Sequence, residues 1–238
     1  MNMSPGWFAQ AHEVRRPDIP QENLLTPKQG PNHKLVVSPP LQNNGNGLKW
    51  LEANSKIHTL IGGILMVLQP ELFRIGCKAL DELATNPYHV NNVQHLPAAL
   101  HDWNLPFNGI AIISNRTTPL HRDTYGRKEW LDILVALGEY THGRLEIPAF
   151  NIAFQYDPGC LTAFSGRLLR HGATCEGERA CVAYYMRDNV MERLGQEVVS
   201  WNNIKAYQEF VTQFDTPGYQ KHTFTESIEG LTTSAVEV

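Results

Sequence analysis

The stretch GIAIISNRTTPLHRD, Gly109–Asp123, decides how this chain of 238 residues is read. Its first part is a short apolar run closed by Ser114 and Asn115, the pattern of a strand ending in a turn. Its last part sets a histidine and a carboxylate two positions apart, His121 and Asp123. In extended chain a period of two puts both side chains on one face and turns Arg122 to the other. Two side chains of ligand type on one face are half a metal site.

Toward the carboxyl terminus the same texture repeats. Short apolar runs at Gly109–Asn115, Trp130–Leu137, Arg144–Pro148, Asn151–Tyr156, Cys160–Phe164, Leu168–Thr174 and Arg179–Met186 read as strands. Turn signals fall between them at Gly138, His142-Gly143, Asp157-Pro158-Gly159, Ser165-Gly166 and Glu176-Gly177. Short strands in series with no helix between them predict an antiparallel jelly roll, the double-stranded β-helix. Toward the amino terminus the period changes. Ile57, Leu60, Ile61, Ile64, Leu65 and Leu68 recur at helical spacing, and Pro70 opens a second helix carrying Leu72, Phe73, Cys77, Leu80 and Leu83. The fold class expected is therefore mainly β with flanking helices (α+β), the helices covering one face of the roll. His58, inside the first helix, reads as a surface or hydrogen-bonded core histidine.

Residues 1–46 are rich in Pro, Asn, Gln and Gly and read as an extended or partly disordered arm. Residues 47–194 then form the domain, and 195–238 a carboxyl-terminal extension with one helix near Trp201–Phe214 and a tail. With 20 basic and 24 acidic residues, the net charge of −4 gives no chain-wide attraction to phosphate backbones; a nucleic-acid substrate needs a local basic groove. Cys77, Cys160, Cys175 and Cys181 form no CxxC pair, which argues against a zinc module or disulfide scaffold. The longest apolar run, Ile61–Leu68, is far short of a bilayer span, and no signal pattern opens the chain. An intracellular protein without a membrane partner is expected.

The third ligand is expected at His171, which ends the run LLRH; His142, in the turn-like THGR, is its competitor. Two histidines and one carboxylate with open positions are the ligand set of non-haem iron(II) oxygenases, although zinc or manganese accept the same donors. Arg179 follows His171 by eight residues and leads the strand RACVAYYMR. Its fork suits the far carboxylate of a dicarboxylate co-substrate. Arg187 closes that strand with the same parity, and its competing reading is a surface pair with Asp188.

These segments resemble a known family. SNRTTPLHRD (Ser114–Asp123), EWLDILVALGEY (Glu129–Tyr140), YDPGCLTAFSGRLLRHGA (Tyr156–Ala173) and YYMRDNVMERLG (Tyr184–Gly195) are similar to the fungal set of TET/JBP-type domains. These belong to the iron(II)- and 2-oxoglutarate-dependent dioxygenases. The resemblance implies iron(II) held by His121, Asp123 and His171, and 2-oxoglutarate anchored by Arg179. It also implies molecular oxygen as co-substrate and oxidation of a C–H bond. In that family the target is the methyl group of 5-methylcytosine in DNA, or for some members thymine or N6-methyladenine. A DNA substrate would place the chain in the nucleus, any other in the cytoplasm. One departure bears on substrate: where characterised relatives carry Asn or Asp shortly after the HxD motif, this chain has Thr124, Tyr125 and Gly126. The readings left open are a dioxygenase of a small metabolite or protein side chain, and a non-catalytic roll.

Overall fold

Two long strands, Asp132–Ile147 and His171–Tyr185, run antiparallel along nearly their whole length and form the spine of the fold. The sequence pattern predicts four strands here, broken by turns at Gly138, His142-Gly143 and Glu176-Gly177. In the computed structural model those positions are bends inside continuous strands. Gly138 and Gly177 have φ of +122° and +114°, and His142 has φ +53° beside a register shift between Thr141 and Arg144. Glycine at positive φ bends a strand without the clash a Cβ would bring. The pattern marked the right residues, and extended pairing on both sides carried the chain through them.

The structure describes residues 1–8, 34–43, 45–115, 117–205, 208 and 212. Among them the elements are β1 Asn2–Met3, α1 Asn46–Ala53, α2 Ser55–Leu68, α3 Pro70–Thr85, α4 Leu96–His101, β2 Gly109–Ser114 and β3 Thr118–His121. The spine strands are β4 and β7, with β5 Ile152–Gln155 and β6 Leu161–Phe164 between them, and α5 Asp188–Arg193 follows β7. These seven strands pair antiparallel in the order β1-β2-β7-β4-β5, with β3 also on β7 and β6 also on β4.

The register divides the roll into two halves. β2 lies on the second half of β7 (Ala180–Tyr185) and β3 on its start (His171–Ala173). Likewise β6 lies on the first half of β4 and β5 on its end. One layer is β2, late β7, early β4 and β6; the other is β3, early β7, late β4 and β5. Ala136, Tyr140, Leu145, Ile147, Tyr156, Phe164 and Ala173, drawn from both layers, pack together inside the roll. The jelly-roll core is thus present, and its interior is a distinct cluster.

Ile110, Ile133, Val182 and Tyr184 form a second surface, and the helices cover it with Leu51, Ile61, Leu65, Leu72, Ile75, Ala79 and Leu83. Each large side chain buried there contributes about 1.5–3 kcal/mol. The first expected helix is two, because Asn54 ends α1: its backbone and side-chain amides both donate to the Trp50 carbonyl, at 3.1 and 2.8 Å. α4 and α5 had no clear period, being only one to two turns long.

The described ends of the amino-terminal arm are packed. Met3, Phe8, Leu35, Val37 and Leu41 are buried, and Asn2–Met3 pairs with β2. Residues 9–33 lie outside the described set. Met1–Asn202 form one compact unit and Asn203–Val238 a second. Of the latter only 203–205, 208 and 212 are described, so half of the expected helix at Trp201–Phe214 falls outside the described residues. No helix among the described residues is long and apolar enough to cross a membrane. The cysteines are all free.

Candidate active site

His121 ends β3 and faces His171, the first residue of β7, as its direct cross-strand partner. Asp123 lies two residues beyond β3, tied by its N–H to the Gly166 carbonyl at 3.0 Å. Ligand atoms of His121, Asp123 and His171 all lie within 4.8 Å of one another, with His121 Nε2 3.5 Å from Asp123 Oδ1. The two imidazole rings are 4.4 Å apart between centroids, and Phe164 packs edge-on against His171 at 4.9 Å.

Backbone carbonyls orient both rings. Nδ1 of His121 is 2.9 Å from the Pro119 carbonyl, and Nδ1 of His171 is 3.0 Å from that of Leu169. A carbonyl only accepts, so each Nδ1 carries the proton and each Nε2 keeps its lone pair for a ligand bond. Burial pushes the His171 pKa below the ordinary imidazole value, against the raising effects of the Leu169 carbonyl and Asp123. A neutral His171 is the form that binds metal. His121 and Asp123 are 40% and 48% exposed in their side chains, so the group opens to solvent on one side. Two imidazoles and a carboxylate at this spacing suit one divalent ion with bonds of about 2 Å.

Arg179 is buried in the roll interior. Its Nη2 donates to Thr118 Oγ1 at 3.3 Å, and its guanidinium lies 5.9 Å from the Tyr156 ring centre. Cys181, next but one along β7, places its sulfur 3.9 Å from the Tyr156 hydroxyl, so period two holds Arg179 and Cys181 on one face. The buried fork is chemically suited to a carboxylate.

Arg187 departs from its expected place. β7 ends at Tyr185, so strand parity does not extend to Arg187. Its guanidinium sits 5.4, 5.3 and 5.5 Å from the rings of Trp7, Tyr125 and Tyr185. Nor does it pair with Asp188; Arg127 does. His142 is exposed on the bend of β4 and outside the ligand group. His58 is a correction too: it is fully buried, and neither ring nitrogen has a hydrogen-bond partner.

Asp132 was missed, and the turn signalled at Ser165-Gly166 runs on through Arg170, where a strand was expected from Leu168; β7 starts only at His171. Asp132 is buried, and its Oδ2 accepts the Gly166 N–H at 3.2 Å. Burial first, then the Asp123 carboxylate, push its pKa up to about 8, while the Gly166 N–H works the other way. The signal was a lone carboxylate inside the apolar run WLDILVAL.

An antiparallel roll with two histidines and an aspartate gathered at one end defines a class, the metal-dependent oxygenases of the jelly-roll type. Residues 42–188 match the Tet/JBP family model, the oxygenase domain of the 2OGFeDO superfamily. That span is more than half of the chain, and the chain belongs to this family. It is accordingly an oxidoreductase of the superfamily that uses iron(II), 2-oxoglutarate and oxygen. No curated protein matches it. Among solved structures the chain is similar to NgTET1 in complex with 5mC DNA, at 17% identity and a TM-score of 0.48. That alignment covers 75% of this chain and 64% of NgTET1, so the chain spans just under two thirds of its relative's length.

Proposed function

We propose that this chain oxidises the methyl group of a modified base in nucleic acid, with His121, Asp123 and His171 holding iron(II) and Arg179 receiving the far carboxylate of 2-oxoglutarate. When bound, iron(II) and 2-oxoglutarate supply an oxidant for a C–H bond and yield succinate and carbon dioxide. The residues' part is geometry: Nδ1–H contacts fix the two rings, the interior excludes water around Arg179, and Phe164 closes the space beside His171.

The observation that carries the base reading is the rim. Arg122, Lys128, Arg167 and Arg170 are exposed on the two segments that bear the ligands. A chain of net charge −4 thus carries exposed positive charge on these two segments, which a phosphate backbone could use. Tyr125, two residues past Asp123 in sequence and 45% exposed, offers a ring with the Arg187 guanidinium 5.3 Å from its centre. An aromatic face beside a reactive centre suits an extruded base. Such a substrate would place the protein in the nucleus.

A metabolite or protein side chain is the second reading, favoured by Gly126, which has no side chain with which to read a base edge. Mass spectrometry of oligonucleotides bearing 5-methylcytosine, methylated adenine or thymine, incubated with iron(II) and 2-oxoglutarate, decides between them. A mass gain of one oxygen on one base, matched by succinate and abolished by His121→Ala or Asp123→Ala, is expected. Succinate formation with no oligonucleotide oxidised would move the substrate to the second class. Undiminished turnover in either variant would refute the ligand assignment.

A further inference from the structure

Asp132 is a buried carboxyl at the start of β4, among the apolar residues of WLDILVAL. A buried carboxyl needs a hydrogen-bonded reason to be there. Its Oδ2 accepts the N–H of Gly166 at 3.2 Å, and the carbonyl of that same residue accepts the N–H of Asp123 at 3.0 Å. One residue, Gly166, therefore links the buried carboxyl to the backbone of Asp123. The approach is close enough to forbid a side chain: a Cβ on Gly166 would stand 2.1 Å from Asp123 Oδ2 and 3.0 Å from Asp132 Oδ2.

The turn that begins here also grips His171. Leu168 N–H donates to Ser165 Oγ at 3.2 Å and Leu169 N–H to the Ser165 carbonyl at 2.9 Å, closing the turn on itself. Outward from it, the Leu169 carbonyl holds His171 Nδ1 at 3.0 Å and the Leu168 carbonyl accepts from Arg122 Nε at 3.0 Å. Arg167 Nη1 donates back to the Asp123 carbonyl at 3.3 Å.

We infer that Asp132 is a positioning residue. It pins Gly166, and so the bracket Ser165–Leu169, in the one place from which the bracket can aim Asp123 and His171 at a shared ion. The inference rests on the reading of those two residues as metal ligands. Asp132 does not join the ligand group, and its hydrogen-bonded link to Asp123 runs through Gly166. What it supplies is an acceptor at a fixed height under that peptide, so an asparagine, whose Oδ1 accepts equally, should replace it.

The test is Mn(II) binding to the full-length apo protein, followed by electron paramagnetic resonance of the free ion, with the Co(II) visible spectrum as a reporter of ligand geometry. Wild type should bind, and Asp123→Ala should lose binding. Asp132→Leu should weaken Mn(II) binding about 10–100-fold and change the Co(II) bands, as loss of a group that orients a ligand does. Asp132→Asn should stay within about 3-fold of wild type, well inside that range. Gly166→Ala should weaken binding like Asp132→Leu, because its Cβ displaces the Asp123 carboxylate while Asp132 remains. If Asp132→Leu does not fold, the Asn and Gly166→Ala variants still decide. Wild-type affinity in Gly166→Ala, or an Asn variant as weak as the Leu variant, overturns the bracket. A wild type that binds no Mn(II), or an Asp123→Ala variant that binds as wild type does, overturns the ligand reading instead.

Discussion

Replacing His58 by leucine should make this protein more stable, and by more in acid than at neutrality. His58 is fully buried in α2, 5.0 Å from the Trp50 ring and 5.8 Å from that of Tyr184, and neither of its ring nitrogens has a partner. Burial pushes its pKa from 6.5 down to about 4. The folded value lies below the unfolded one, so the unfolded chain takes up the proton first as pH falls. Stability from this group is whole above about pH 6.5, falls between there and about pH 4, and is level below that. The full loss is about 3 kcal/mol, and about 2 kcal/mol of it has gone by pH 5. At neutrality the two orphaned nitrogens already cost about 1–3 kcal/mol, which leucine, similar in volume, does not incur. Tyr184, whose hydroxyl burial pushes up to about 12, stays neutral throughout and adds no slope. Urea unfolding of both proteins at pH 7.5, 6 and 5 measures the difference. Leucine should lead by about 1–3 kcal/mol at pH 7.5 and by about 2 kcal/mol more at pH 5. Parallel pH profiles would show that His58 is not buried neutral; a variant weaker at pH 7.5 would show that its nitrogens are bonded.

Arg179→Ala should raise the 2-oxoglutarate requirement about 10–100-fold, the loss of one charged hydrogen-bonding fork, while Mn(II) binding by the ligand group holds. An unchanged requirement would move the anchor elsewhere. Tyr125→Ala should raise KM for a base substrate and leave substrate-free succinate formation intact; a loss of both would make Tyr125 structural. Tyr140→Phe removes a 2.6 Å bond from the buried Tyr140 hydroxyl to the Tyr156 carbonyl and should cost about 1 kcal/mol in urea unfolding.

The fold class was legible because a roll announces itself by period: alternating strands, regular turn residues and two amphipathic helices. That His121, Asp123 and His171 come together was legible from an HxD pair and a later histidine, each at the end of an apolar strand. Strand continuity was not, since Gly138 and Gly177 look the same in sequence whether they reverse the chain or bend it. Only the pairing of Glu139 with Glu178 and Tyr140 with Gly177, on past the bends, distinguishes the two. Asp132 escaped notice because its partner is a backbone N–H 34 residues away, which leaves no mark in local spacing. Arg187 was misplaced by extending a period beyond the last paired residue.

The bends explain how one strand brings His171 and Arg179 together. His171 and Arg179 are eight residues apart on β7. In a straight strand that is about 26 Å, far longer than a five-carbon dicarboxylate. Yet the Arg179 guanidinium reaches Thr118 Oγ1 at 3.3 Å, and Thr118 is the cross-strand partner of Ala173, only two residues from His171. The strand has therefore curled back on itself between the two residues. The positive φ values sit at Gly177 on β7, and at Gly138 and His142 on its partner β4. At Gly138, opposite Arg179, a Cβ would meet the Glu178 carbonyl at 2.1 Å. Gly138→Ala should thus cost about 1–3 kcal/mol of stability and also raise the 2-oxoglutarate requirement, because straightening the strand carries Arg179 away from the ligands. A variant that loses stability but keeps its co-substrate requirement would mean that the curl is held by packing alone. Parity gives the two residues a common face; the bent spine gives them a common site.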